Sequence, residues 1–280
     1  MAITRTEINL KEFSHIKIGP ESWVWSVDNS LEILDNPTFV VDKVILGNCS
    51  KLLLPNKLEE AFLNVDHEPV IEHSEGLVHV SSGTRLSDLL QYAMEEGLGG
   101  LDFMAGIPGT LGGLVWMNGG AFGRHVWNQI YQIRAITSTG EVIWLKPGDV
   151  DAEYRNSHLD KLGVKFVVDA FLYYKLQDKQ DVRSQILSNI EYRKRRHPVE
   201  YPSLGSTFKN SKEYKAWELL TEVGLAGYRI GDAMFSTKHA NFIINLGNAT
   251  REDVLGLIKL GQARVYNRFG IWLEPEIVIL

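Results

Sequence analysis

Apolar residues fall in short blocks in the first half of the chain and at helical spacing in much of the second. Phe39-Val40-Val41 and Lys43-Val44-Ile45-Leu46 read as short strands, followed by a turn over residues 47–51. Residues 77–81 predict a strand ending at Gly83. Leu86, Leu89, Leu90, Ala93 and Met94 recur at the spacing of one helix face, and Gly97 is placed to stop that helix. Residues 130–136 and 141–145, joined at Thr139-Gly140, predict a β-hairpin, and residues 166–174 a further apolar strand.

The pattern changes after that strand. Residues 176–181 are polar and read as a linker, with Asp181 as the cap of a helix carrying Ile186, Leu187 and Ile190 and ended by Pro198. Ala216, Leu219, Leu220 and Val223 predict a second short helix stopped by Gly224. Residues 239–246 predict a strand, the Thr250…Asp253 pair a capped helix, and residues 271–280 a final strand. The class is α+β, with a domain boundary expected near residue 175.

Composition narrows the function classes. Across 280 residues the net charge is −6, which argues against a dedicated nucleic-acid binder. Arg193-Lys194-Arg195-Arg196 is a basic run, but at a helix C-terminus cations meet the helix dipole favourably, so a solvated helix end is the better reading. Cys49 is the single cysteine, which excludes an internal disulfide framework and a Cys-rich zinc site. His67, His73 and His79 are evenly spaced but form no metal-binding helix motif, so no metal is expected. Residues 1–17 mix charges into their apolar positions and have no signal-peptide core. No run of 18 apolar residues occurs, so no membrane insertion is expected and a cytoplasmic location is.

Glycine changes the picture further. Residues 97–123 hold 10 of the 25 glycines. Gly106-Ile107-Pro108-Gly109-Thr110-Leu111-Gly112-Gly113 and Asn118-Gly119-Gly120-Ala121-Phe122-Gly123 let backbone N–H groups approach an anion closely, and a pyrophosphate is the natural guest. No Gly-Lys-Ser/Thr follows and no G-x-G-x-x-G occurs, so neither a P-loop nor a Rossmann fingerprint is present. A set of tight turns fits the same string about as well. Gly47-Asn48-Cys49-Ser50-Lys51, directly after a strand, is a second phosphate-contact candidate and also an ordinary turn.

Six segments in order carry a resemblance to the UDP-N-acetylenolpyruvoylglucosamine reductase family, in its shorter form. They are Ala105 to Gly113, Met117 to Gly123, Tyr154-Arg155-Asn156-Ser157, Gly205-Ser206-Thr207-Phe208-Lys209-Asn210, Lys238-His239-Ala240-Asn241-Phe242-Ile243-Ile244-Asn245, and Leu273-Glu274-Pro275-Glu276-Ile277. The resemblance implies a vanillyl-alcohol-oxidase-type FAD-binding fold in two subdomains, over residues 1–70 and 71–175. A C-terminal α+β substrate-binding domain would follow over residues 176–280. It also implies FAD as cofactor, NADPH as electron donor, an enolpyruvyl UDP-sugar as substrate, and a monomer. The family's first flavin loop reads Gly-x-Gly-Ser-Asn, and here Cys49 and Lys51 replace its second Gly and its Asn. Ile18-Gly19-Pro20 stands where Ile-Gly-Gly is usual.

By the resemblance, Gly47, Asn48, Cys49, Ser50, Lys51, Gly106, Ile107, Pro108, Gly109, Thr110, Gly112, Gly113, Asn118, Gly119, Gly120 and Ala121 contact the cofactor, with the charge of Lys51 beside its pyrophosphate. Arg155 matches the catalytic arginine, whose planar donor fork suits a carboxylate. Ser206 matches the donor of a proton to the substrate's α-carbon. Glu276 matches the acidic partner, expected to hold a proton through a raised pKa. Tyr154, Lys209 and Asn210 are substrate contacts, and Lys238, His239 and Asn241 are either site residues or a cap for the following strand. Two alternatives stand beside this reading: a related flavin oxidase or dehydrogenase on the same fold, against which the Ser206 and Glu276 motifs argue, and a flavin-free UDP-sugar-binding protein, favoured only by Cys49 and Lys51.

Overall fold

The computed structural model describes residues 3–280. It divides into two compact units, neither of them continuous in sequence. The first comprises residues 3–7, 23–48 and 60–191, and the second residues 8–22, 49–59 and 192–280.

The first unit is built on a five-stranded antiparallel sheet. Its strands are, from edge to edge, Val142–Leu145, Ile130–Thr137, Val164–Tyr173, Leu77–Ser81 and Ile71–Ser74. The predicted hairpin is its outer pair, with Val142 opposite Ile136. Val164–Tyr173 is central because its alternate residues are apolar on both faces, and Val164, Phe166, Val167, Val168, Ala170 and Leu172 are all buried. The helix Leu86–Glu96 forms where the apolar spacing places it, and Gly97 ends it at φ 76°. Leu86, Leu89, Leu90 and Ala93 enter one core with Phe103, Leu111, Leu114 and Trp127. A smaller core holds Val27, Ile33, Val40, Phe62, Ile136, Phe166 and Val168.

The second unit packs a small antiparallel sheet, in the order Ser203–Ser206, Phe242–Asn245, Ala233–Phe235 and Arg229–Ile230. Its helices are Ala216–Glu222 and Arg251–Phe269. The Thr250 hydroxyl accepts from Asp253 N at 3.1 Å and Thr250 N donates to Asp253 Oδ2 at 2.9 Å, so the capping box is present. Val254, Leu257, Ile258 and Val265 share a core with Phe208, Leu220, Phe235 and Leu273. Ile16, Ile18 and Leu53 join it from the early segments, although they lie far away in sequence.

Five local expectations change. Phe39 and Val40 lie in the 3-10 helix Pro37–Val40, because Pro37 fixes φ at the first helical position, and only Ile45–Leu46 of the following block is strand. Residues 176–181 are not a loose linker. Lys175–Leu176 pairs with Leu98–Gly99, and the helix Lys179–Arg196 begins directly after. Its cap is Asp178 rather than Asp181: Asp178 Oδ1 accepts from Gln180 N at 2.8 Å and its carbonyl accepts from Val182 N at 3.1 Å. Of residues 271–280 only Val278–Ile279 is a strand, parallel to Leu52–Leu53.

Candidate functional site

In the first unit the glycine string lies against a tight ladder. Leu86 N donates to Gly109 O at 2.9 Å, Leu111 N to Thr84 O at 2.9 Å, and Gly112 N to Ser82 O at 2.7 Å. Thr110 then caps the short helix Leu111–Trp116, with no side-chain cap bond. Its hydroxyl is buried and has no hydrogen-bond partner among the described residues. A Cβ on Gly47 would lie 2.8 Å from that oxygen. Asn64 N donates to Leu46 O at 2.7 Å, which brings Asn64 beside the same turn. Asn64 Nδ2 donates to Ser82 Oγ at 2.9 Å, while Asn64 Oδ1 is buried without a partner among the described residues. A Cβ on Gly112 would meet Asn64 Nδ2 at 3.1 Å.

Two buried polar atoms that lack partners are costly, by about 1–3 kcal/mol each, unless a ligand satisfies them. A hydroxyl that can donate and an amide oxygen that must accept suit a group carrying both phosphate oxygens and hydroxyls. The cradle of Gly47, Asn64, Thr110 and Gly112 therefore fits a flavin nucleotide.

The remaining glycines of the string have other reasons. A Cβ on Gly120 would lie 2.1 Å from Arg124 O, and one on Gly119 2.5 Å from Leu114 Cδ1. These two are dictated by close chain packing. Asn118 takes φ 45° and ties the string to residue 153, its Nδ2 donating to Glu153 O at 2.7 Å. Gly106 takes φ 69°, and Ile107 N donates to Met104 O at 3.0 Å in a tight turn that Pro108 and Gly109 continue. Gly106 and Gly113 are exposed and Ala121 half-buried.

Arg155 also belongs to the first unit. It is a non-glycine residue at φ 60°, a conformation costing about 1–3 kcal/mol and held by its surroundings. One guanidinium nitrogen donates to Gly120 O at 2.9 Å, and the group lies 4.8 Å from the Tyr154 ring centre. His125 meets Tyr154 edge-on at 5.9 Å, and burial, then the Arg155 charge, hold its imidazole below the usual pKa. His125 escaped the sequence reading because no motif marks it. Its nearness to Arg155 comes only from the fold.

In the second unit the structure gathers Lys51, Ser206 and Glu276. Gly205, at φ 72°, sits in a register shift between Ser203 and Ser206, so the strand bulges before Ser206. Behind it Asn241 locks the chain: its Oδ1 accepts from Phe208 N at 2.9 Å, its Nδ2 donates to Phe208 O at 2.8 Å, and its carbonyl accepts from Thr207 N at 2.7 Å. Asn241 thus braces residues 207–208 rather than capping the strand that follows it. Glu276 N donates to Thr207 O at 2.7 Å, and Phe208 bridges Pro275. Lys51 Nζ donates to Glu276 Oε1 at 2.7 Å and to Ser206 O at 2.8 Å. The Lys51 charge, expected beside a pyrophosphate, is thus engaged with the carboxylate.

Three other expected site residues are tied locally. Lys209 Nζ pairs with Glu274 at 2.6 Å. Asn210 Oδ1 accepts from Ala216 N at 2.9 Å, which is a helix-start bond. Lys238 Nζ donates to Lys194 O at 2.8 Å. His239 packs edge-on to His197 at 5.4 Å, and both are held below the usual pKa, chiefly by burial, His197 at about 4. Cys49 occupies φ 45°, the conformation for which the family pattern uses glycine, and burial pushes its thiol up to about 12. The half-buried Asn48 and Ser50 lie on either side of it.

Known proteins agree with this division. Residues 43–146 match the model described as FAD binding domain, within an α+β chain, and so define the class as an α+β flavoprotein. Residues 197–280 match the model described as UDP-N-acetylenolpyruvoylglucosamine reductase, C-terminal domain. A UDP-N-acetylenolpyruvoylglucosamine reductase of Caldicellulosiruptor bescii is 37% identical over 277 residues, covering 96% of this chain and 88% of its own length. That of Fusobacterium nucleatum subsp. nucleatum is 32% identical over 280 residues, covering 98% of each. The crystal structure of the reductase from Thermus caldophilus superposes with a TM-score of 0.83 at 30% identity, covering 99% of each chain. The chain belongs to the UDP-N-acetylenolpyruvoylglucosamine reductase family.

Proposed function

We propose that this protein reduces the enolpyruvyl ether of UDP-N-acetylglucosamine enolpyruvate to UDP-N-acetylmuramate, with NADPH as donor and FAD as cofactor, in peptidoglycan precursor synthesis. The observation that carries the reading is the joint match of an FAD-binding segment and of this family's own C-terminal domain within one chain. The Gly47, Asn64, Thr110 and Gly112 cradle would hold FAD, with residues 106–109 continuing that surface, and the cofactor would supply hydride transfer from NADPH to the terminal CH₂ of the substrate.

Hydride addition at the CH₂ leaves negative charge on the α-carbon, delocalised into the carboxylate. Fixed donors placed where that charge grows lower the barrier. Arg155 serves this role, pre-aimed by its bond to Gly120 O. The Ser206 hydroxyl gives its proton to the α-carbon and forms the new C–H bond, and the serine regains a proton from water. Glu276 is joined to the Ser206 strand end through Lys51 and fixes that end of the site. Tyr154 and Lys209 contact the UDP-sugar. The FAD-binding role falls to the first unit and the substrate-binding role to the second, in a cytoplasmic monomer.

Purified protein loaded with FAD should oxidise NADPH beyond one equivalent per flavin only when the enolpyruvyl UDP-sugar is present, forming a product two mass units heavier than the substrate. NADPH oxidation at the same rate without that substrate contradicts the reading.

A further inference from the structure

Lys51 stands where the family pattern carries Asn, and the structure ties it at both ends. Its carbonyl accepts from Val278 N at 2.8 Å, two residues beyond Glu276. Its ammonium donates to Glu276 Oε1 at 2.7 Å and to Ser206 O at 2.8 Å. The Glu276 side chain is only 4% exposed and that of Lys51 21%. A carboxylate so buried favours its neutral form unless a cation offsets the lost hydration, and Lys51 lies close enough to do so. A neutral, shorter Asn has neither the charge nor the reach. Gly205 leaves room for the arrangement: a Cβ there would lie 3.4 Å from Lys51 Nζ. On the same segments Lys209 and Glu274 pair with each other at 2.6 Å, and Arg251 donates to Leu54 O at 3.0 Å and to Leu280 O at 2.6 Å.

We propose that Lys51 is a positioning residue of the reaction site, holding Glu276 ionised and fixed at the end of the Ser206 strand. The acidic group of the site is then the Lys51–Glu276 pair, and it titrates as a pair. The identification of Ser206 and Glu276 as site residues rests on the function proposed above.

The test uses the FAD-loaded protein and the variants Lys51→Met, Lys51→Arg and Lys51→Asn, with Glu276→Gln to assign the Glu276 carboxyl band in difference infrared spectra. In Lys51→Met the Glu276 band should titrate about one or more pH units higher than in the parent protein, because the opposite charge is gone. The acid limb of the rate at which substrate reoxidises the flavin should move with it. Reduction of the flavin by NADPH should keep its pH dependence. Lys51→Arg keeps the charge and should stay near the parent in both readouts. If Lys51→Met does not fold, Lys51→Asn gives the same comparison with the residue the family uses. Glu276 titrating identically in the parent and the uncharged variant overturns the proposal, and so does Lys51→Arg behaving like Lys51→Met. The infrared titration reads the pair whether or not the enolpyruvyl substrate turns over. Failure of the parent to use that substrate, with the infrared shift present, counts against the functional reading alone.

Discussion

Single side chains show how much of the site depends on contacts that spacing cannot reveal. Thr110 was legible as part of a glycine-rich cradle, but its partnerless hydroxyl was not. Thr110→Val keeps the shape and removes the orphaned oxygen. It should leave the stability of the FAD-free protein unchanged or slightly raised, and weaken FAD binding about tenfold, the worth of one good hydrogen bond. A fluorescence titration with FAD checks this, and undiminished affinity would remove Thr110 from the cradle. Asn64 carries no motif and was found only because its backbone pairs with Leu46. Lys51 was legible as an unusual residue, yet its partner Glu276 lies 225 positions away. Cys49 shows the same limit, since its place in the loop was readable and its burial was not. With the thiol pushed up to about 12, its thiolate fraction at pH 8 falls about a thousandfold below that of an unfolded chain. Iodoacetamide should therefore modify the native protein far more slowly than the urea-unfolded one.

At the scale of elements, local rules worked where local chemistry decides. The helix Leu86–Glu96, its Gly97 stop, the hairpin and the Thr250 box were all present as read. The misread elements are those settled by distant partners or by proline. Lys175–Leu176 is a strand only because Leu98–Gly99 lies beside it, and the final strand shrinks to the residues that pair with Leu52–Leu53. The bulge at Gly205 directly precedes Ser206 in its strand. Gly205→Ala forces a side chain into φ 72°, a strain of about 1–2 kcal/mol. It should slow reoxidation of the flavin by substrate more than its reduction by NADPH, as stopped-flow traces of the two steps will show. Equal slowing would mean that the bulge serves only stability. Gly83→Ala is a purely structural contrast. Its Cβ would lie 2.1 Å from the buried Asp66 Oδ1, so unfolding in urea should show a loss of about 1–3 kcal/mol or more.

For the molecule as a whole, the two-unit construction was the least legible feature. Residues 8–22 and 49–59 count with the C-terminal unit, and nothing in their local pattern announces it. Global stability should carry the signature of the buried imidazoles. His197 titrates at about 4 in the folded protein, below the usual 6.5, first because of burial and then because of Arg193. The unfolded chain therefore takes up that proton as pH falls below about 6.5, while the folded protein stays neutral down to about 4. Stability should be lost progressively across that window as pH falls. His197→Phe, which cannot be protonated, should flatten the fall in melting temperature between pH 7 and pH 4.5. An identical fall in parent and variant would contradict the assignment.

The central claim concerns the reaction, and two consecutive half-reactions test it most directly. The FAD-loaded protein is mixed anaerobically with one equivalent of NADPH, and the flavin absorbance should bleach. Adding UDP-N-acetylglucosamine enolpyruvate should then restore the absorbance and yield UDP-N-acetylmuramate, while Ser206→Ala should bleach normally and fail to recover. A flavin that bleaches but stays reduced in the parent protein after that substrate is added, or a Ser206→Ala variant that recovers at the parental rate, would contradict the account.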